Sequence, residues 1–135
     1  RTVWHINTAS FKDAHFAVYP PDLIESPIDA CCPEFVDKKT GKPRERVIEK
    51  TQGKVTTYDD KGYDDKRDNS EFKPGIVLDP FFGSGTTAQV AMSQDKDWVG
   101  IELNSEYEKI FEKRLKPKIV EKKTRDKASK FWDIK

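Results

Sequence analysis

The chain has 135 residues, the size of a single domain, and a formal net charge of +1. Because only 35% of the residues are hydrophobic and 36% are charged, the hydrophobic core must be small for this length. No apolar run approaches the length of a membrane span and no secretory signal is visible, so we expect a cytoplasmic protein without a membrane partner.

The first regular element predicted along the chain is a short helix. Pro20 and Pro21 are expected to open it, because proline suits the first turn of a helix, and it should run to about Ala30. Pro27 is expected to bend or shorten it, because proline lacks the N–H that a helix interior needs. Its apolar face comprises Leu23, Ile24 and Ile28.

A polar segment, residues 35–71, follows this helix. Residues 46–49 and 54–58 have the alternation of β-strands, which suggests a hairpin. Charge is unevenly spread, since residues 38–54 hold seven basic and two acidic side chains, whereas residues 59–71 hold six acidic and three basic ones. The basic part could lie along phosphates or form a solvated face.

The most informative segment is residues 76–102, which predicts a strand, a glycine-rich turn, a helix and a second strand. The first apolar run ends in Asp79, and the second ends in Glu102. Gly83 and Gly85 carry no Cβ, so they allow a tight turn and the close approach of a ligand. Acids at the carboxyl ends of adjacent parallel strands are typical of a small-molecule pocket.

Two helices are predicted around this turn. The first begins near Thr87, with Ser84 or Thr86 as its N-cap. Its apolar face comprises Ala88, Val90, Ala91 and Met92. The second is opened by a capping box over residues 105–108 and ends near Pro117. Its buried side chains are expected to be Tyr107, Ile110, Phe111 and Leu115.

Other glycine-rich turns fit this segment less well. A P-loop requires a lysine at the place that Gly85 occupies, and a dinucleotide-binding fingerprint requires a third glycine. Asp79 would repel a pyrophosphate but attract an ammonium group. A purely structural turn with solvent-facing acids remains the alternative. The pattern therefore favours a ligand with an amino acid at one end and a ribose at the other.

Four segments resemble, in order, motifs of the amino-methylating DNA methyltransferases, which modify adenine N6 or cytosine N4. Residues 79–87 are similar to the cofactor motif D-P-F-x-G-S-G-T-T, and residues 100–107 to the motif G-I-E-x-N-x-x-Y that follows it. Upstream, residues 15–23 are similar to H-x-A-x-F/Y-P-x-x-L, and residues 1–4 resemble R-x-V-W.

This resemblance implies an α/β chain that forms part of a Rossmann-like S-adenosyl-methionine-dependent methyltransferase fold with a polar insertion. In the family's permuted order, the catalytic half precedes the cofactor half. Residues 1–34 and 72–115 would be the cofactor-binding part, residues 35–71 the insertion, and residues 116–135 a basic tail.

The resemblance also implies a cofactor, S-adenosyl-methionine, and residues that contact it. Asp79 would lie near the methionine ammonium, and Glu102 would bind the ribose hydroxyls. Thr86 would help to hold the carboxylate at the helix start, and Leu103 would lie against the adenine. The other expected cofactor-binding residues are Ala17, Tyr19, Pro20, Phe81, Gly83, Ser84 and Gly85. The two aromatic residues in that set could instead belong to the core.

The polar insertion resembles a zinc ribbon found in some family members, in which C-x-x-C precedes G-K-P. The matching positions here hold Asp37 and Thr40. Cys31 and Cys32 are adjacent, so they cannot both ligate one ion comfortably while two other thiolates are missing. We therefore expect no metal site, and two reduced cysteines suit a cytosolic protein.

The family's catalytic motif, D/N/S-P-P-Y/F/W, appears nowhere in this sequence. That motif holds the amino group of the flipped base. Because the sequence also begins at Arg1 within a family motif, we expect the C-terminal part of a longer methyltransferase. It would be inactive alone, and its catalytic half would come from the same chain or from a partner chain. An incomplete sheet exposes apolar edges, so we also expect marginal stability or a homodimer.

Two hypotheses about function follow. In the first, the chain is the S-adenosyl-methionine-binding portion of a methyltransferase that acts on an exocyclic amino group of adenine or cytosine, with DNA as the partner of the full-length enzyme. In the second, it is a non-enzymatic remnant that binds nucleic acid or a protein partner. Retention of Asp79, Gly83, Gly85 and Glu102 favours the first, because a remnant could lose them.

Overall fold

The computed structural model describes residues 3–8, 18–53, 55–63, 67–117 and 119. The described helices are α1 (Asp22–Cys31), α2 (Thr86–Ser93) and α3 (106–117). The strands are β1 (Phe35–Asp37), β2 (Arg46–Thr51), β3 (Thr57–Tyr63), β4 (Phe72–Pro74), β5 (Ile76–Asp79) and β6 (Asp97–Gly100). The mixture of helices and strands confirms an α/β chain, and the wider Rossmann-like sheet stays a prediction. None of the described helices has the length and apolar character needed to cross a membrane.

The chain divides into two compact units. The first unit combines Arg1–Cys32 with Ile76–Lys135, and the second unit is Pro33–Gly75. The predicted division into a cofactor-binding part, an insertion and a tail stays a prediction. Most of the basic tail, residues 116–135, lies outside the described residues, as does Ala17.

Helix α1 belongs to the first unit and lies close to its predicted position. The expectation that Pro27 shortens it is wrong, because the helix continues to Cys31. Proline removes only the N–H that would bond to the carbonyl four residues earlier, and helical bonding continues beyond it, since the Cys32 N–H donates to the Ile28 carbonyl at 2.9 Å. Ile28 is buried, as expected for the apolar face.

A parallel strand–helix–strand arrangement forms the centre of the first unit. Strands β5 and β6 pair in parallel, with Ile76 opposite Asp97 and Asp79 opposite Gly100, and α2 lies between them in sequence. The predicted order of strand, turn, helix and strand is confirmed. The second strand ends at Gly100, however, so Glu102 lies two residues beyond it rather than within it.

The start of α2 differs from the prediction. Neither Ser84 nor Thr86 caps the helix, because the N-cap residue is Gly85, which has a φ of +78° and offers no side-chain hydrogen bond. A Cβ at this position would lie 3.1 Å from the Cβ of Phe111. Both the backbone angle and the close neighbour therefore require glycine here.

The core of the first unit lies between α2, α3 and the sheet. Its buried members are Phe82, Ala88, Met92 and Leu115, and Trp98 and Phe111 pack against them. The expected capping box of α3 is wrong, because the Asn104 side chain supplies the cap by accepting the Glu106 N–H at 2.9 Å. Of the four side chains of α3 that were expected to be buried, Leu115 is buried, whereas Tyr107, Ile110 and Phe111 are half-buried.

One face of the β5–β6 sheet is open to solvent. Ile76, Leu78 and Val99 are 49%, 63% and 50% exposed, respectively, and alternate residues in a strand share a face. Within the described residues this sheet has only its two strands. The apolar residues that are exposed lie on a face of the sheet rather than only at its edges, and the expected marginal stability or homodimer stays a prediction.

The second unit is built from two antiparallel strand pairs. Strand β1 pairs with β4, and β2 pairs with β3 to give the suggested hairpin. The second predicted strand of the hairpin is misplaced, because β3 begins at Thr57 and continues through two aspartates. Opposite charges across the pair stabilise this register: Arg46 lies 2.9 Å from Asp60, and Lys61 lies 3.2 Å from Glu49.

Asp37 organises the turn that follows β1. Its Oδ1 accepts the N–H groups of Lys39 and Thr40, both at 2.8 Å, and its carbonyl accepts the Gly41 N–H at 2.9 Å. The Arg67 guanidinium donates to its Oδ2 at 2.5 Å. The Thr40 N–H, the Arg67 guanidinium and the Lys39 N–H together hold the pKa of Asp37 well below its usual range. A carboxylate thus holds this turn together.

Candidate functional site

Asp79, at the carboxyl end of β5, joins two parts of the first unit. Its Oδ1 accepts the Phe81 N–H at 2.9 Å, and its Oδ2 accepts a hydrogen bond from the Thr87 hydroxyl. The Tyr19 hydroxyl lies 2.6 Å from Thr87 Oγ1. Because the Thr87 hydrogen points to Asp79, Tyr19 is the donor in that second bond. Two predicted site residues are therefore linked through Thr87, which sequence reasoning did not select.

Glu102 holds the glycine-rich turn against the end of β6. Its Oε2 accepts the Gly83 N–H at 2.6 Å, and its Oε1 accepts the Asn104 N–H at 2.8 Å. Each carboxylate oxygen has two lone pairs, so each can accept one further hydrogen bond. Glu102 is half-buried, which leaves these positions accessible to a ligand.

A cavity of about 460 Å³ lies beside Glu102, within the size range of small-molecule sites. It is lined by Phe82, Trp98, Gly100, Glu102, Leu103, Asn104, Ser105, Glu108 and Phe111. Two of the predicted cofactor-binding residues, Glu102 and Leu103, are in this lining. Leu103 is fully exposed, so its side chain is available for contact with a ligand.

Of the two adjacent phenylalanines in the turn, Phe82 rather than Phe81 lines this cavity. The Phe82 ring stacks on Trp98 with 5.0 Å between centroids and meets Phe111 edge-on at 5.1 Å. A Cβ at Gly100 would overlap the Phe82 ring, which explains the glycine. Phe81 is 87% exposed and is not among the residues that line the cavity. Motif position alone does not indicate which of two adjacent rings faces inward.

Arg114, on α3, is a candidate residue that sequence reasoning missed. Its Nε donates to Gln89 Oε1 at 2.7 Å, and its Nη1 donates to the hydroxyls of Ser84 and Thr86, both at 2.9 Å. Burial lowers the pKa of Arg114, and the nearby Tyr19 acts in the opposite direction. The signal was available, because position 114 falls on the apolar stripe of α3, where a charged residue is unusual.

The remaining predicted residues fall into two groups. Ser84 and Thr86 are buried, with 5% and 2% exposure, and their hydroxyls face Arg114. Pro20 is half-buried beside Tyr19 in the sequence, and Ala17 lies outside the described residues. The cofactor roles assigned to these residues stay predictions.

A parallel strand–helix–strand arrangement, with one acid at the end of β5 and another two residues beyond β6, defines an α/β protein with a candidate small-molecule site. The chain belongs to the DNA methylase family of N6 and N4 methyltransferases, because the model of that family matches residues 1–113. The resemblance to amino-methylating DNA methyltransferases is therefore confirmed.

Curated relatives agree with this family. The chain is 36% identical over 116 residues to the type II methyltransferase M.Cfr9I of Citrobacter freundii, a match that covers 85% of this chain and 25% of the relative. It is 32% identical over 115 residues to the type II methyltransferase M.SmaI of Serratia marcescens, a match that covers 85% of this chain and 26% of that relative.

A shorter match, 56% identical over 43 residues, is to the DNA adenine methyltransferase YhdJ of Escherichia coli, covering 31% of this chain and 15% of the relative. The chain thus spans about a quarter of the length of the first two relatives. No solved structure matches it.

Proposed function

We propose that this chain is the S-adenosyl-methionine-binding portion of a DNA methyltransferase that modifies the exocyclic amino group of adenine (N6) or cytosine (N4). The observation that carries the proposal is the pairing of Glu102 with the Gly83 N–H beside a cavity of ligand size. When bound, the cofactor would supply an electrophilic methyl group, carried on a positively charged sulfur, for transfer to the exocyclic amino group of the base.

Asp79 is suited to the ammonium group at the methionine end. Its two hydrogen bonds come from the neutral donors Phe81 and Thr87, and among the described residues it forms no ion pair. Its negative charge is thus available to a cationic group of the ligand. Gly83 is half-buried and carries no Cβ, so a ligand can lie close to the backbone at that end of the turn.

Glu102 is suited to the ribose. Its carboxylate is held at both oxygens by backbone N–H groups, which fixes its direction before the ligand arrives. A fixed carboxylate can accept two neighbouring hydroxyls with little further loss of conformational freedom. Leu103, fully exposed at the edge of the cavity, provides an apolar surface for the adenine.

The residues that hold the target base would come from outside this sequence, in the same chain or in a partner chain, and DNA would be the partner of the whole enzyme. The open face of the β5–β6 sheet, with Ile76, Leu78 and Val99, supports this, because burying it would favour association with the rest of a methyltransferase domain. On this proposal the chain is inactive alone. A homodimer through the same face is the competing arrangement, and the mass of the chain in solution distinguishes the two.

The test is calorimetric titration of the chain with S-adenosyl-homocysteine, the demethylated cofactor. We expect saturable one-to-one binding, and Glu102→Ala should weaken it about tenfold or more, because a charge-assisted hydrogen bond contributes about 1.5–3 kcal/mol. Glu112→Ala removes an exposed carboxylate of α3 that is not in the cavity lining, so it serves as the matched control and should bind like the unmodified chain.

Two results would contradict the proposal. A chain that circular dichroism shows to be folded but that does not bind would favour the non-enzymatic remnant. Binding that Glu102→Ala leaves unchanged would exclude the ribose contact and would move the site away from the cavity beside Glu102.

A further inference from the structure

Arg114 connects α3 to the glycine-rich turn and to the first turns of α2. Besides the two hydroxyls and the Gln89 side chain, its Nη1 also donates to the Ser84 carbonyl at 3.3 Å. The guanidinium thus contacts four acceptors on residues 84, 86 and 89, and the two hydrogens of Nη1 are shared among three of them. These acceptors lie on both sides of Gly85, the residue at which the backbone enters the helix.

We propose that Arg114 is a positioning residue that fixes the turn and the start of α2 for the amino-acid end of the cofactor. This inference rests on the proposed function, because it concerns the same ligand.

The physical argument begins with the backbone N–H groups in the first turn of α2. These groups have no acceptor within the helix, and they attract anions such as a carboxylate. Their direction depends on the conformation of residues 84–86, where two of the four Arg114 bonds end on side chains that are almost fully buried. Glycine on either side of Ser84 makes this segment intrinsically flexible, so an external clamp has a large effect on its order.

The guanidinium also contributes its charge. A positive group behind the start of α2 adds to the positive end of the helix dipole, and both favour the carboxylate of the ligand over a neutral group. Glu102, in contrast, lines the cavity and accepts hydrogen bonds from the Gly83 and Asn104 N–H groups. Neither of these two bonds involves Arg114. Loss of Arg114 should therefore affect the amino-acid end of the ligand more than the nucleoside end.

The experiment compares two ligands and three variants by calorimetry. S-adenosyl-homocysteine carries the amino-acid end, and 5′-methylthioadenosine lacks it but keeps the nucleoside. Arg114→Ala removes the clamp and the charge, and Arg114→Lys keeps the charge without the planar fork. Lys109→Ala removes an exposed charge from the same helix and is the control.

We expect Arg114→Ala to weaken S-adenosyl-homocysteine binding about tenfold and 5′-methylthioadenosine binding less than about threefold, because the lost bonds order only the segment assigned to the amino-acid end of the ligand. Arg114→Lys should restore part of the difference, and Lys109→Ala should change neither affinity. If Arg114→Ala does not fold, the inference is tested with Arg114→Lys alone. This variant should bind S-adenosyl-homocysteine about threefold more weakly and should leave the affinity for 5′-methylthioadenosine unchanged.

A second readout needs no ligand. The Gly85 N–H donates to the Phe82 carbonyl at 2.9 Å, and its hydrogen exchange should be faster in Arg114→Ala than in Lys109→Ala. Equal losses for both ligands, or no loss for either while the unmodified chain binds, would overturn this inference and leave the proposed function standing. Failure of the unmodified chain to bind S-adenosyl-homocysteine would overturn both.

Discussion

Two aspartates stand at equivalent places in the two units of this chain. Asp37 ends β1 in the second unit, and Asp79 ends β5 in the first. In each, Oδ1 accepts the N–H of the residue two positions later, at 2.8 Å for Asp37 and 2.9 Å for Asp79. The other oxygen differs, because Asp37 pairs with the Arg67 guanidinium and Asp79 accepts a neutral hydroxyl from Thr87.

This difference separates a structural carboxylate from one that can serve a ligand. Arg67 compensates the charge of Asp37, and the pair closes the turn. The charge of Asp79 is stabilised by neutral donors, which orient the group without cancelling its charge. The two turns therefore differ in whether the second partner of the carboxylate is a cation, and on the proposed function this difference leaves Asp79 available to a ligand.

The largest expected effect comes from Asp79→Asn. The amide still accepts the Phe81 N–H but loses the negative charge, so S-adenosyl-homocysteine binding should weaken about tenfold to a hundredfold. Asp37→Asn is the matched control from the other unit and should leave the affinity unchanged. Calorimetric titration of both variants measures the two affinities. Equal effects of the two substitutions would mean that the charge of Asp79 has no special role in ligand binding.

A smaller effect, on stability, is expected from Asp37→Asn. Because the folded-state pKa of Asp37 lies below the unfolded-state pKa of about 3.9, the carboxylate stabilises the fold fully above that unfolded value, and this contribution is lost as the pH falls toward the folded value. The melting temperature of the variant should thus fall below that of the unmodified chain at pH 7, and the gap should narrow below about pH 4.

Thermal melting followed by circular dichroism at pH 7, 5 and 3 measures this gap. Asp59→Asn, which removes an exposed carboxylate from β3, is the control and should show a small gap at every pH. A gap for Asp37→Asn that does not depend on pH would mean that the shape of the side chain, rather than its charge, stabilises the turn.

The third prediction concerns the cation itself. Arg67→Ala should raise the pKa of Asp37 only part of the way to its usual value, because the Thr40 and Lys39 N–H groups still hold the carboxylate. A carbon-detected NMR titration of the Asp37 carboxyl group measures the change. Arg67→Lys keeps the positive charge and should leave the pKa closer to that of the unmodified chain. A pKa that Arg67→Ala leaves unchanged would assign the whole effect to the backbone.

The sequence was sufficient to predict the strand, turn, helix and strand over residues 76–102, because each apolar run there is bounded by glycine, proline or an acid. It was insufficient for β1 and β4, since strands of three residues are too short to show alternation. The Asp37–Arg67 pair was also missed, because 30 residues separate its members and only the folded second unit brings them together.

The candidate site was predicted unevenly for a similar reason. Asp79 and Glu102 could be selected because each ends an apolar run, a feature visible along the chain. Phe82 could not be distinguished from Phe81 in the sequence. The conformation of the folded turn decides which of the two rings reaches Trp98 in β6. Arg114 was overlooked although its position on the apolar stripe of α3 was visible, since its acceptors lie about 25 to 30 residues earlier.

The smallest expected effect is that of Tyr19→Phe, which tests whether the neutral partners of Asp79 act only by orientation. The Tyr19 hydroxyl donates to Thr87, which in turn donates to Asp79, so its loss leaves the carboxylate charge and its direct bonds intact. We expect S-adenosyl-homocysteine binding to weaken about threefold or less, since a neutral hydrogen bond contributes about 0.5–1.5 kcal/mol. Tyr58→Phe, on exposed β3, should change nothing. A loss of affinity as large as that caused by Asp79→Asn would mean that Tyr19 contacts the ligand directly. The ligand-binding difference between Asp79 and Asp37 would then depend on the Tyr19 hydroxyl as much as on the cation beside Asp37.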